Sequence, residues 1–193
     1  VQQSQLVSDV RALTESLGQL PEPVVRPTFT VVSGLPGTGK SYFSGKLAER
    51  LPFLILETDA LRKTLFPSPG YSQQESTRLF RACHLLIEQL LEKGIPIILD
   101  ATNLSERYRE RLYSIADRLG TKLILVRVEA PPEVVQERLG ARQAAAKSKS
   151  DADWDVYQRM KPTVQKIGRN HFAVDTSRDI TPVLEKIIRE VRR

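Results

Sequence analysis

Gly34-Leu35-Pro36-Gly37-Thr38-Gly39-Lys40-Ser41 stands directly after a β-branched run, Thr28 to Ser33, and before a segment that reads as a helix. Glycine, four residues, then Gly-Lys-Ser in that setting is a phosphate-binding turn. Its glycines let backbone N–H groups point inward, and the following helix adds a partial positive charge of about half an electron at its N-terminus. Lys40 is placed to neutralise the β and γ phosphates of a nucleoside triphosphate, and the Ser41 hydroxyl to complete the shell of a Mg²⁺ ion.

Outward from that turn, strands alternate with helices. Apolar runs at Phe53 to Glu57, Ile95 to Asp100, Thr121 to Glu129 and His171 to Val174 predict further strands. Between them, helices are predicted from Gln74 to Lys93, Ser105 to Leu119 and Pro132 to Arg142, with one more at the C-terminal end. Such alternation implies βαβ crossovers and a parallel sheet with helices on both faces. Ahead of it, Leu6, Val10, Leu13, Leu17 and Leu20 recur at helical spacing, predicting a helix over 4–20. Pro21, Pro23 and Pro27 then form a stiff connector. The chain therefore divides into residues 1–27, helix and connector, and 28–193, the main domain. Ala141 to Asp153 is rich in Ala, Ser, Lys and Asp with no apolar period, which predicts a mobile lid over about 138–153.

Composition narrows the setting. Of 193 residues 40% are hydrophobic, enough for a packed core and against global disorder. Cys83 is the only cysteine, so no intrachain disulfide forms, and a reducing, cytoplasmic address is expected. No apolar stretch approaches the roughly 20 residues that span a bilayer, and Val1 to Leu20 lacks the pattern of a secretory signal. The net charge of +6 permits an anionic partner without requiring one.

Candidate reactive groups cluster at strand ends. Asp59 follows the second strand and Arg62 lies three residues on, so both face one side of a helical turn. Asp59 can accept the proton of an attacking hydroxyl while Arg62 holds a phosphate of the acceptor. Equally, Asp59 can cap a helix beginning at Ala60. Asp100 ends the third strand and is a candidate for Mg²⁺ or the acceptor. Asn103 reads either as a substrate contact or, with Glu106, as a capping box. Arg138 and Arg142 project from one helix face beside the lid, where two guanidinium groups can stabilise transferring phosphate or, equally, pair with Glu133 and Glu137 on a solvated face. Arg107 and Arg111, with Glu106 and Glu110, read as a salt-bridged surface. His84 reads as a packed histidine, and Trp154 as packing the lid or stacking on a base.

The loop 34–41, Asp59-x-x-Arg62, Asp100-Ala101-Thr102-Asn103 and the Arg138 to Arg142 helix resemble the P-loop kinases related to polynucleotide 5'-hydroxyl kinases, over about residues 28–178. The resemblance implies an α/β P-loop NTPase fold in three layers, α/β/α, around five parallel strands, with ATP and Mg²⁺ as cosubstrates. It implies Asp59 as general base, Arg62 on the acceptor's 3'-phosphate, and Arg138 with Arg142 on the ATP phosphates. It also implies Asp175-Thr176-Ser177 near the adenine. The function expected is transfer of the γ-phosphoryl of ATP to a hydroxyl, first the 5'-OH of RNA or DNA. The alternatives are a small-molecule acceptor such as a sugar acid, nucleoside or antibiotic, and a nucleotide-gated binding protein without acceptor chemistry.

Overall fold

The protein is described by a computed structural model covering residues 2–145 and 152–193. Five strands form one fully parallel sheet: β1 (Thr28–Ser33), β2 (Leu54–Glu57), β3 (Ile97–Asp100), β4 (Lys122–Glu129) and β5 (Phe172–Asp175), in the order β2-β3-β1-β4-β5. Their side chains alternate between two buried faces, as the two-residue period of a covered parallel sheet requires. Phe29, Val31, Ile97, Leu99 and Leu125 pack on one side. Val32, Ile98, Ile124, Val126 and Val128 pack on the other.

Among the described residues there are eight α-helices, α1 (Gln2–Ser16), α2 (Lys40–Ala48), α3 (Thr58–Leu65), α4 (Gln73–Glu92), α5 (Glu106–Leu119), α6 (Pro132–Ala145), α7 (Trp154–Met160) and α8 (Thr181–Arg192), with α6 and α7 sharing a small core beside the phosphate loop. The first core unites Val10 and Leu13 of α1 with Leu79, Leu86 and Ile87 of α4 and Leu112 and Ala116 of α5. The second seats Phe43 and Leu47 of α2 against Leu184 and Ile187 of α8. Each such fully buried Leu or Phe stabilises the fold by about 1.5–3 kcal/mol.

Most expected elements form within two residues of their predicted ends. Three differences have local causes. Helix α1 stops at Ser16, whose hydroxyl donates to the Leu13 carbonyl (2.6 Å) and competes with continuation of the helix. The turn expected after β2 is a full helix, α3, starting at Thr58; Asp59 therefore lies inside its first turn and does not cap a helix from Ala60. The third is α7, which has no counterpart in the expected elements; Asp153 caps it by accepting from the Val156 N–H at 2.9 Å. The expected lid overlaps α6 through Ala145, while residues 146–151 lie outside the described part of the chain.

The sheet order changes direction at β1, which has β3 on one side and β4 on the other. Ligands of open α/β sheets bind beyond the carboxyl ends of strands at such a switch point, and the 34–41 loop leaves β1 there.

Candidate active site

The phosphate loop is shaped by its backbone. Gly37 has φ +77° and Gly39, the residue before α2, φ +95°, a region that side chains strain to enter. A Cβ on Gly39 would meet Thr176 Oγ1 at 2.8 Å, and one on Gly37 would meet Leu139 Cγ and Val135 Cγ1 at 2.9 Å. The loop is thus closely enclosed by α6 and the turn after β5. The Leu35 carbonyl accepts from Thr38 Oγ1 (2.7 Å) and from Lys40 Nζ (3.1 Å), which keeps the ammonium over the nest.

Beside the loop, Ser41 Oγ donates to Asp100 Oδ2 at 2.7 Å. Burial pushes the Asp100 carboxyl above the usual aspartate range, partly offset by Lys40 and the Ser41 bond, while Glu57 and Asp59 push it further up. Burial also pulls Lys40 below the usual lysine range, with Asp100 and Asp59 opposing and Arg142 adding to the fall. Each group is incompletely compensated, and a phosphate with its cation would relieve both. The oxygen pair Ser41 and Asp100 suits a hard divalent ion. Among the described residues no group of three or more His, Cys, Asp or Glu side chains could hold a metal alone. A cation held by this pair would take further ligands from phosphate and water, as Mg²⁺ commonly does.

One cavity of about 1310 Å³ joins these groups. Pro36, Gly37, Gly39, Lys40, Ser41, Asp59, Arg62, Asp100, Asn103 and Arg142 all line it, so residues separated by a hundred positions in sequence share one chamber. Arg62 is 7% exposed; its Nη2 donates to Ser76 Oγ at 3.1 Å, and Glu75 Oε2 lies 3.7 Å from Nη1.

Other predicted residues stand differently. Arg138 is absent from the cavity lining; its guanidinium donates to Thr176 Oγ1 (2.8 Å), the Thr176 carbonyl (3.0 Å) and the Gly37 carbonyl (3.4 Å). Thr176 Oγ1 also donates to the Thr38 carbonyl, so the Asp175-Thr176-Ser177 turn is tied to the phosphate loop. Gly34 and Leu35 shape that loop without lining the cavity, and Thr38 is buried beneath it. The Asn103–Glu106 capping box does not form. Ser105 occupies the cap position, the Glu106 N–H donates to Gln165 Oε1 (2.7 Å), and Asn103 adopts a left-handed backbone with φ +48°. Trp154 stacks on Tyr157, centroids 4.9 Å apart, and packs against a small core with Val135 and Leu139.

Sequence reasoning passed over Arg109. This residue is 1% exposed and donates to Glu106 Oε2 (2.7 Å) and to the carbonyls of Asn103 (2.6 Å), Gln165 (2.8 Å) and Lys166 (3.0 Å). It clamps the loop carrying Asn103 to the segment after α7. Its partner Glu106 is therefore engaged inward and not on the outer face with Arg107 and Arg111 as expected. Half-buried His84 is pulled down to about 4 by burial and by Arg111, so it is neutral near pH 7.

The sheet order and the phosphate loop give the chain a three-layer α/β/α P-loop kinase-like fold. The chain belongs to the AAA domain family, whose sequence profile matches residues 29–167. It is similar to the uncharacterized protein Rv2004c of Mycobacterium tuberculosis, at 27% identity over 173 residues, 78% of this chain and 34% of the relative. The chain thus spans about a third of the length of the curated relatives it matches. Among solved structures, the fold is similar to the Mycobacterium tuberculosis APS kinase CysC in complex with AMPPNP and APS: TM-score 0.65 at 18% identity, covering 89% of this chain and 100% of that one. It is also similar to a gluconokinase from Sinorhizobium meliloti: TM-score 0.62 at 21% identity, covering 86% and 94%. Among the described residues no helix is long and apolar enough to cross a membrane.

Proposed function

We propose that the protein is an ATP-dependent kinase that moves the γ-phosphoryl of ATP to an alcohol. The observation that carries this reading is the shared cavity in which Lys40, the Ser41–Asp100 pair, Arg142 and Asp59 meet around a backbone phosphate nest. The APS kinase and gluconokinase folds support it.

In this reading the acceptor oxygen attacks the γ-phosphorus in line. As its bond forms, the bond from that phosphorus to the β–γ bridging oxygen breaks, ADP departs, and Asp59 takes the hydroxyl proton. Lys40 and the loop N–H groups hold the β and γ phosphates, and Arg142 offsets charge on the transferring group. A Mg²⁺ ion held by Ser41 and Asp100 would supply neutralisation of the phosphate oxygens. Arg138 keeps α6 on the phosphate loop, and it contacts phosphate only by releasing Thr176. The turn 175–177 is assigned to the adenine side, and Arg62 and Asn103 to the acceptor.

The sequence resemblance points to the 5'-hydroxyl of RNA or DNA as acceptor. A specific observation favours the second reading, a small-molecule alcohol. Among the described residues the basic side chains lining the cavity are Lys40, Arg62, Arg142 and Arg159, all within one chamber of about 1310 Å³, the scale of a nucleotide with a compact acceptor and not of the long phosphate track that a polyanion follows. Transfer of radiolabel from γ-labelled ATP to a 5'-hydroxyl oligonucleotide and to a panel of small alcohols tests both readings. Label on small alcohols alone assigns the second reading, and label on the oligonucleotide alone the first. Tight ATP binding with no transfer to any acceptor would instead identify a nucleotide-gated binding protein and refute the kinase.

A further inference from the structure

Beyond the phosphate loop the cavity is walled by Arg62 of α3, Tyr71 of the α3–α4 loop, Phe80 of α4 and Tyr108 of α5. Among the described residues Tyr71 and Asn103 are the two non-glycine positions with positive φ, at +53° and +48°, and both line this chamber. A tyrosine in the left-handed region is strained, and such strain persists where the surroundings fix it. Glu75 does the fixing here. Its carboxylate accepts from the Gly70 N–H at 3.0 and 3.1 Å and from the Tyr71 N–H at 2.8 Å. The result is a phenol ring held 5.0 Å from the Arg62 guanidinium carbon. Phe80 and Tyr108 add a second aromatic surface, their centroids 5.3 Å apart. Tyr71 and Tyr108 are 46% and 45% exposed, so neither side chain is sealed in the packed core.

Arg62 supplies the polar half of the recognition. Among the described residues its Nη1 is buried without a hydrogen-bond partner; Glu75 Oε2, at 3.7 Å, is within ion-pair range and beyond hydrogen-bonding reach. A buried guanidinium N–H left open favours an incoming anionic oxygen. Size agrees with two occupants: a pocket for one small ligand holds roughly 300–1,000 Å³, and this chamber is about 1310 Å³.

Resting on the kinase reading above, we infer that the acceptor is a compact aromatic anion. It is an alcohol with one flat ring that lies on the Tyr71, Phe80 and Tyr108 surface, and one phosphate or carboxylate that takes the open N–H of Arg62. Its hydroxyl is the group presented to Asp59.

Calorimetric titration in AMPPNP and Mg²⁺ tests this without relying on turnover. The probes are adenosine 3'-monophosphate and 4-(hydroxymethyl)benzoate as ring-bearing anions, ribose 5-phosphate and gluconate as ringless anions, adenosine as a neutral ring, and a 5'-hydroxyl 20-mer. At least one ring-bearing anion is expected to bind tenfold or more tighter than the ringless anions and adenosine, since a stacked ring is typically worth that much or more. Tighter binding of the nucleotide assigns a phosphate anion, and of the benzoate a carboxylate. Tyr71→Leu and Tyr108→Leu, both at exposed positions, should each weaken the ring-bearing probe about 3- to 10-fold and leave the ringless anions unchanged. Arg62→Lys should erase most of the gap between adenosine and its 3'-phosphate. Equal binding of ringless anions, indifference to both tyrosine variants, or tightest binding of the 20-mer overturns the inference. Titration of AMPPNP alone separates the two levels. Its failure to bind removes the kinase reading, whereas AMPPNP binding without ring preference removes only the aromatic acceptor.

Discussion

On the kinase reading, eight consecutive residues, 34–41, form the heart of the donor side, where a turn shaped by Gly37 and Gly39 offers backbone N–H groups to phosphate. The acceptor side would then be assembled from Asp59 and Arg62 on α3, Tyr71 in a loop, Phe80 on α4, Asn103 in another loop and Tyr108 on α5, all of which line the same cavity. Its contacts come from side chains whose directions depend on how three helices pack. A phosphate tail is the same in every nucleoside triphosphate, so a fixed backbone nest suffices for it. An acceptor differs from one enzyme to another, and only side chains on separable elements can be varied independently to fit it.

The sharpest test of that division is a pair of substitutions. Lys40→Ala should lower turnover by ~10³-fold or more and weaken ATP binding in the same measurement, because the charge facing the phosphates is lost. Asp59→Asn keeps the shape of α3 but removes the proton acceptor, so single-turnover transfer should fall by ~10²–10³-fold while ATP affinity holds. If Asp59→Asn weakened ATP as much as Lys40→Ala does, the two sides would not be separable and Asp59 would belong with the donor.

The same contrast explains what could be read from the sequence. The phosphate loop, the strands and the switch point are local patterns: a fixed glycine spacing, β-branched runs, and helices between them. Asp59 and Asp100 were visible because strand ends converge on one edge of a parallel sheet. The aromatic wall was not visible, since Tyr71, Phe80 and Tyr108 form no run and meet only when α3, α4 and α5 close on one another. Helix α7 was missed because its seven residues carry too few apolar positions to show a period. Arg109 did leave a signal. It lies three and four residues before Leu112 and Tyr113, on the buried face of α5, where an arginine must find internal partners.

Arg109→Leu should therefore be costly out of proportion to its distance from the phosphates. It leaves the carbonyls of Asn103, Gln165 and Lys166 without this donor and Glu106 without its partner. A loss of about 2–3 kcal/mol in a denaturant melt is expected. On the donor side the change should be small: AMPPNP affinity, corrected for folded fraction, should stay within a factor of about two, corresponding to less than about 0.5 kcal/mol at ambient temperature. An equal loss of nucleotide affinity would show that the Asn103 loop supports the donor as well.

The smallest effect concerns α1, which packs mainly on α3 and α4, behind the proposed acceptor wall. Asp9, 3% exposed, accepts from Arg78 Nε and Nη2, both at 2.7 Å, and Arg78 in turn lies over the Phe66 ring at 5.2 Å. The Arg78 hydrogen bonds hold the Asp9 carboxyl below the usual aspartate range despite its burial. A carboxylate with a depressed folded-state pKa stabilises the fold fully above its ordinary value and ceases to do so as pH falls through the depressed one. Asp9→Asn should cost about 1–2 kcal/mol near neutral pH, discounted because Arg78 is partly solvated. The gap between variant and parent should close in acid, below the ordinary aspartate range, and not near pH 6 to 8. Its functional trace should be an increase in acceptor KM with ATP KM unchanged. A rise in both would mean that α1 steadies the whole sheet edge, and the two sides of the cavity would then share a support that their construction otherwise keeps apart.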